Sequence, residues 1–144
     1  MFCKTNNKKV VASIKLTSSI PKDLTSHEKK LIQDASFENY ILRNGCSKLL
    51  IKGRLMLKID IPDAVDRNKE STLLFRAITY PHHICEMRFA NEKQTIHNRR
   101  KTPPFIWKNF VVMIPPGKQK FIEIEISSHG DTALLAVQDV LFYQ

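Results

Sequence analysis

The chain has 144 residues, of which 42% are hydrophobic and 26% are charged, an ordinary composition for one globular domain. No run of about eighteen apolar residues is present, and no apolar segment typical of a secretory signal follows the polar start Met1-Phe2-Cys3-Lys4-Thr5-Asn6-Asn7-Lys8-Lys9. We therefore expect an intracellular protein without a membrane anchor. The net charge of +9 favours polyanionic partners, either nucleic acid or an acidic protein surface.

The first third of the chain predicts one strand and a helical segment. Residues 10–16 have the composition of a short strand, which Ser18-Ser19-Ile20-Pro21 stops. Thr25 and Glu28 have the spacing of a capping box, in which the hydroxyl and the carboxylate each accept an unpaired backbone N–H. Because Asn44-Gly45 is a helix stop, we expect one helix or two short helices between residues 26 and 43.

The rest of the chain alternates apolar and polar residues, as half-buried strands do. A charged loop is expected over residues 63–70, an exposed loop over 91–104 and a turn over 128–131. Strands are predicted in the following ranges: 54–61, 73–80, 85–89, 110–114, 121–126 and, as a strand pair or one bent strand, 133–143.

This pattern predicts an all-β fold, a jelly-roll or cupin-like β-sandwich or barrel with a short N-terminal helical segment. We expect residues 1–47 to form a strand and a helical extension that pack on a jelly-roll domain of residues 48–144, as a single globular unit. Two of the predicted strands, over residues 110–114 and 133–142, are apolar on both faces. Since one face of an antiparallel sheet usually meets water, their second face must be covered by the N-terminal helix or by a second subunit.

Residues that could support catalysis or bind metal are few. The adjacent pair His82-His83 would point to opposite faces of a strand, and Glu86 and His97 are not at the spacing of a cupin metal site. Cys85 and His83 have no third orienting group, and Cys3, Cys46 and Cys85 form neither a disulfide pattern nor a zinc motif. Glu123 and Glu125 share a solvent-facing side of a strand. We therefore predict no enzymatic activity, no catalytic residue and no cofactor.

One dense basic cluster, His97-Asn98-Arg99-Arg100-Lys101, lies within the expected exposed loop. We expect His97, Arg99, Arg100 and Lys101 to contact an acidic partner or a DNA backbone. Aromatic residues follow closely, and basic residues beside aromatics can stack single-stranded bases. Of these, Phe110 is expected in the core and the place of Trp107 is left open, with Phe105 between them and the cluster.

Several segments resemble the cupin domain of the centromere protein C family. They are Gly53-Arg54-Leu55-Met56-Leu57-Lys58, Thr72-Leu73-Leu74-Phe75, Met113-Ile114-Pro115-Pro116-Gly117 with the strand to Ile126, and Ala133-Leu134-Leu135-Ala136-Val137-Gln138. The resemblance covers residues 48–144. It implies a non-enzymatic cupin that has lost its metal ligands, forms a homodimer, lies in the nucleus at the inner kinetochore and recruits centromeric chromatin-assembly factors.

A second resemblance is to galactose-binding-like and MAM-type jelly rolls. It rests on Asp34-Ala35-Ser36-Phe37-Glu38-Asn39 and Gln138-Asp139-Val140-Leu141-Phe142, and it implies a calcium site that includes Glu38 and Asp139 in a ligand or adhesion module. We keep three alternatives: a dimeric interaction module, a ligand-binding jelly roll and a basic nucleic-acid-binding β-domain. For the first, the alternation indicates five buried residues at the core, dimer or partner interface: Phe75, Met87, Phe89, Val112 and Leu135.

Overall fold

A computed structural model describes residues 8–16 and 20–144 of the chain. Cys3 and the predicted strand stop at Ser18-Ser19 lie outside the described residues. The described part contains two short helices and eight strands: β1 (Val10–Ile14), α1 (Ser26–Gln33), α2 (Ala35–Arg43), β2 (Ser47–Asp60), β3 (Ser71–Thr79), β4 (Ile84–Phe89), β5 (Glu92–His97), β6 (Lys108–Ile114), β7 (Phe121–Val137) and β8 (Val140–Tyr143).

The eight strands form one continuous antiparallel sheet that folds over into two layers in the order of a jelly roll, and we call these layers the first and second sheets. The layers are joined where residues 77–79 of β3 pair with residues 135–137 of β7. In the first sheet, β1 pairs with β8, β8 with β3, and β3 with β6. In the second, β2 pairs with β7, β7 with β4, and β4 with β5. Each sheet thus combines strands from both ends of the chain, and the predicted all-β jelly roll with a short helical segment is confirmed.

The long strands β2 and β7 pair with each other, and a β-bulge between Lys52 and Arg54 interrupts this pairing and bends the strands. Gly53 lies at the interruption in β2 with φ +72°, and Gly130 lies opposite in β7 with φ +111°. Both values belong to a backbone region that side chains with a Cβ rarely adopt, so glycine permits the bend. The turn predicted over residues 128–131 is therefore wrong, because Gly130 marks a bulge inside a strand and not the end of one.

The loop predicted over residues 91–104 is also partly wrong, since its first half is β5. This strand pairs with β4 from Glu92 to His97 at the edge of the second sheet. Only Ile96 is buried among its residues. A polar edge strand has little alternation, which hides it from a pattern based on burial.

The two helices begin and end where their capping residues predict. Thr25 and Glu28 form both bonds of a capping box at the start of α1. Asp34 ends α1 and caps α2, because its carboxylate accepts the backbone N–H groups of Ser36 and Phe37. Gly45 follows α2 with φ +65°. No helix in residues 8–16 and 20–144 is long and apolar enough to cross a membrane.

Two hydrophobic clusters hold these layers together. The larger one fills the space between the two sheets and includes side chains from all the long strands. The smaller one lies outside the sheets, where α2 places Phe37 and Ile41 against Leu134 and Ala136 of β7. The helical pair therefore covers the second face of one of the two strands that are apolar on both sides.

Candidate functional site

Four of the five predicted interface residues lie in the core of the single chain. Phe75, Met87, Val112 and Leu135 are at most 1% exposed, and all four belong to the cluster between the sheets. Only Phe89, at the end of β4, is partly exposed. The alternation identified buried positions, but a second subunit cannot contact these four side chains, so a contact surface must be sought on the outer faces.

The outer face of the first sheet is apolar and is left uncovered by the described chain. Val111 and Met113 of β6 are 45% and 44% exposed, so within the described residues the N-terminal helices do not cover the second face of residues 110–114. Leu74 of β3 lies between Val111 and Leu141 of β8 in the ladder. Cross-strand neighbours share a face, and this face carries six apolar residues that we call the outer patch: Val10, Leu74, Val111, Met113, Leu141 and Tyr143.

Polar residues border the outer patch and one lies within it. Thr72 lies beside Met113 and Tyr143 in the ladders, and its hydroxyl accepts a hydrogen bond from the Lys8 ammonium at 3.0 Å. Next to the patch, a shallow cleft of about 270 Å³ opens between β3 and the β7–β8 link, and Arg76 and Asp139 lie at its border. An apolar centre with a polar border is the usual anatomy of a protein–protein interface.

A second surface is the basic cleft at the β5–β6 connection, with a volume of about 310 Å³. The seven residues that line it are Thr95, His97, Asn98, Arg99, Arg100, Ile106 and Lys108. The structure thus brings three of the four predicted basic contact residues to one cleft, with the exposed Lys101 next along the chain. Sequence reasoning did not include Lys108, which is seven residues beyond the cluster and returns to it through the fold.

Asn98 holds the basic cleft in place. This residue is buried, its backbone N–H donates to the Thr79 hydroxyl, and its side-chain amide donates to the Thr79 carbonyl, both at 3.1 Å. The Asn98 carbonyl accepts the His82 N–H at 2.7 Å, and its side-chain oxygen accepts the Arg100 N–H at 3.1 Å. These bonds attach the start of the basic segment to the end of β3, so the cations project from an ordered turn.

The aromatic residues near the basic cluster are engaged in packing. Phe105 and Phe110 are buried, as expected for Phe110. Trp107 is half-buried, stacks on Tyr40 and donates its indole N–H to the Tyr40 hydroxyl at 3.0 Å. Burial removes Phe105 and Phe110 from any stacking platform for single-stranded bases, Trp107 already has a stacking partner in Tyr40, and the exposed apolar side chain at this cleft is Ile106.

Glu38 and Asp139, the two weak candidates for metal ligands, interact with different neighbours in the structure. Glu38 on α2 forms an ion pair with Lys48 at 2.6 Å. Asp139 is exposed at the β7–β8 link, close enough to Cys46 that its charge, after burial, helps to raise the pKa of that thiol to about 11. Within the described ranges, no group of three or more His, Cys, Asp or Glu side chains is placed to hold a metal ion.

The residues considered for catalysis are occupied in other ways. Cys85 is fully buried, and burial raises the pKa of its thiol to about 12, which leaves almost no thiolate at neutral pH. His83 lies just before β4, and burial lowers its pKa. Glu86 interacts with Arg88 at 2.8 Å, while Glu125 pairs with Arg54 at 3.0 Å and Glu123 is exposed.

A cleft of about 670 Å³ lies at one end of the sandwich between the β2–β3 and β6–β7 loops, and we call it the end cleft. Arg67 crosses it and donates to the carbonyls of Pro115 and Gln119 at 3.2 and 3.3 Å, while its own carbonyl accepts the Gly117 N–H. Arg67 therefore connects the β2–β3 loop to the β6–β7 loop.

No protein-family model matches the chain, and no curated protein matches it significantly. The outer patch and the basic cleft are the two features that bear on function.

Proposed function

We propose that this chain is a non-enzymatic protein-interaction module that forms a homodimer by packing two outer patches against each other. The observation that carries the proposal is the exposure of Val111 and Met113 on a sheet face whose cross-strand neighbours are also apolar. Contiguous apolar surfaces rarely persist on soluble proteins unless a partner covers them.

A second copy of the chain is the occupant that this face fits best. A two-fold interface joins the same patch on both subunits, so the patch must complement itself. The six side chains of the outer patch are uncharged, so packing them against the same six side chains of a second copy places no like charges opposite each other. The nearby cations, Lys8 on Thr72 and Arg76 at the border, must then lie at the solvent-exposed rim of the contact. Sheets that pack face to face bury alternate side chains in a layer about 10 Å thick. In the dimer, the outer faces of the two first sheets would pack in this way.

Sedimentation equilibrium of two matched lysine variants tests the proposal. Met113→Lys places a charge in the outer patch, whereas Met56→Lys places the same charge on β2, where Met56 is 51% exposed and pairs with Glu125. We expect the first variant to weaken the dimer by at least tenfold because the charge must be desolvated, and the second to leave it unchanged. Equal dimerisation of both variants would overturn the assignment of the patch.

The nuclear and centromeric part of the prediction rests on the resemblance of residues 48–144 to the centromere protein C cupin. In that reading the homodimer presents a docking site for chromatin-assembly factors. Microscopy of the tagged chain in cells, with a centromere marker, tests this part separately from dimerisation. A uniform distribution outside the nucleus would contradict it while leaving the dimer proposal standing.

A further inference from the structure

We infer that the basic cleft binds the phosphate backbone of duplex nucleic acid without sequence preference. This activity is independent of the outer patch. It follows from three features of the cleft, namely its uncompensated charge, its ordered turn and its lack of a free aromatic face.

The charge around the cleft is not balanced by carboxylates. Residues 93–108 contain five Lys or Arg and no Asp or Glu, and Lys93, which does not line the cleft, pairs with Glu86 at 3.5 Å. Of these, Arg99, Arg100, Lys101 and Lys108 are exposed, and within residues 8–16 and 20–144 none forms an ion pair. The nearest acidic residue along the chain, Glu92, is at the opposite end of β5, about 17 Å from His97 at about 3.3 Å per residue.

The cations are held in an ordered arrangement instead of on a free loop. Asn98 ties the turn to Thr79, and Arg99 follows with its Nε 3.5 Å from Nδ1 of His97. Lys108 begins β6 on the other side of the cleft, next to the exposed Ile106. Cationic groups on both sides of a groove fit a strand of phosphates that passes between them, and preorganisation lowers the entropic cost of that contact.

The chemistry favours a duplex over a single strand. Proteins that bind single strands gain much of their affinity from bases stacked on free aromatic rings, and here Trp107 is already stacked on Tyr40. Binding then depends on charge alone. Duplex DNA carries about one negative charge per 1.7 Å of axis, a higher density than a single strand offers.

Fluorescence anisotropy with a labelled 20-base-pair DNA duplex and the 20-nucleotide single strand tests the inference. Between 50 and 200 mM salt, we expect tighter binding of the duplex and a slope of log K against log salt of about −3, as for three or four phosphate contacts. Arg99→Gln/Arg100→Gln should lower affinity at least tenfold at 50 mM salt and reduce the slope by about 2.

Lys118→Gln/Lys120→Gln is the matched control, because it removes the same charge from exposed positions at the end cleft between the β2–β3 and β6–β7 loops. This control variant should leave the slope of log K against log salt nearly unchanged. Equal loss in both double variants would show a diffuse charge effect and overturn the site. Tighter binding of the single strand than of the duplex, or tighter binding of polyglutamate of equal total charge than of the duplex, would overturn the choice of ligand.

Discussion

The Tyr80 hydroxyl donates a hydrogen bond of 2.7 Å to the carboxylate of Asp34 and so connects the helical pair to the jelly roll. Asp34 lies between the two helices and caps the second, whereas Tyr80 follows β3 immediately. The hydrogen bond from Tyr80 is the main cause that holds the pKa of Asp34 below its usual value. Burial, and then the bond to Asp34, raises the pKa of Tyr80 to about 12.

These two shifts predict how stability depends on pH. The pKa of Asp34 is lowered in the folded protein. The stability that this carboxylate contributes is therefore fully present above its unfolded-state pKa and is lost as the pH falls through its folded-state pKa. The pKa of Tyr80 is raised in the folded protein. The stability that its hydroxyl contributes is therefore complete below pH 10 and is lost as the pH rises towards 12. Urea unfolding of Tyr80→Phe should show about 1–2 kcal/mol lower stability at pH 7 and a weaker decline above pH 10.

Tyr143→Phe is the control for this prediction, because within the described residues the Tyr143 hydroxyl makes no hydrogen bond. It should retain the stability of the parent chain at pH 7. If Tyr80→Phe were equally stable, or lost stability above pH 10 as steeply as the parent, the bond to Asp34 would not stabilise the fold.

The helical pair is predicted to be an integral part of the domain. Phe37 is buried and contacts the rings of Tyr80 and Phe105, with centroids 5.3 and 5.6 Å apart. Phe37→Ala should lower the free energy of unfolding by about 3–5 kcal/mol because it leaves a cavity against the sheet. Leu42→Ala on the exposed side of the same helix should cost less than about 0.5 kcal/mol. Similar small losses in both variants would mean that the helices are loosely attached.

Asn98 is predicted to position the basic cleft. Asn98→Ala removes the amide that donates to Thr79 and accepts from Arg100, and should cost about 1–3 kcal/mol of stability. Duplex binding should weaken as well, with the salt slope largely retained, because the cations remain but lose their order. Asn91→Ala in the exposed β4–β5 turn is the control, and equal effects of the two variants on both measurements would contradict this role.

The two described thiols are predicted to be unreactive while the protein is folded. In a Cys3→Ser background at pH 8, a thiol reagent should modify the half-buried Cys46 slowly, since its pKa is raised to about 11. Cys85, with a pKa of about 12, should react only at the rate of unfolding. Rapid modification of Cys85 in the native protein, followed by mass spectrometry, would show that the core between the sheets opens.

The sequence predicted most of the fold because its strongest signals are local. The capping residues Thr25 and Glu28 determine where α1 begins, and the alternation before Pro62 reflects one buried face of β2. The polar edge strand β5 gave no such signal, since Ile96 is its one buried residue. Gly130 resembled a turn residue because a strand bulge and a turn require the same positive φ.

The outer patch and the basic cleft were harder to predict because both depend on which strands become neighbours. The sequence showed that residues 110–114 are apolar. It did not show that Leu74 and Leu141 would lie beside them on the same face of the sheet. Likewise, the cluster at Arg99 and Arg100 was evident, whereas its approach to Lys108 and its attachment through Thr79 arise from tertiary structure.

Light scattering coupled to size exclusion, at low micromolar protein, tests the homodimer most directly. A dimer through the outer patch predicts a mass of about 33 kDa, twice the 16.7 kDa of the chain, in both 50 and 500 mM salt. Salt should not dissociate it, because an apolar contact is not screened as charge pairs are. A mass near 16.7 kDa in both buffers would contradict the proposed dimer, as would a dimer that dissociates in 500 mM salt.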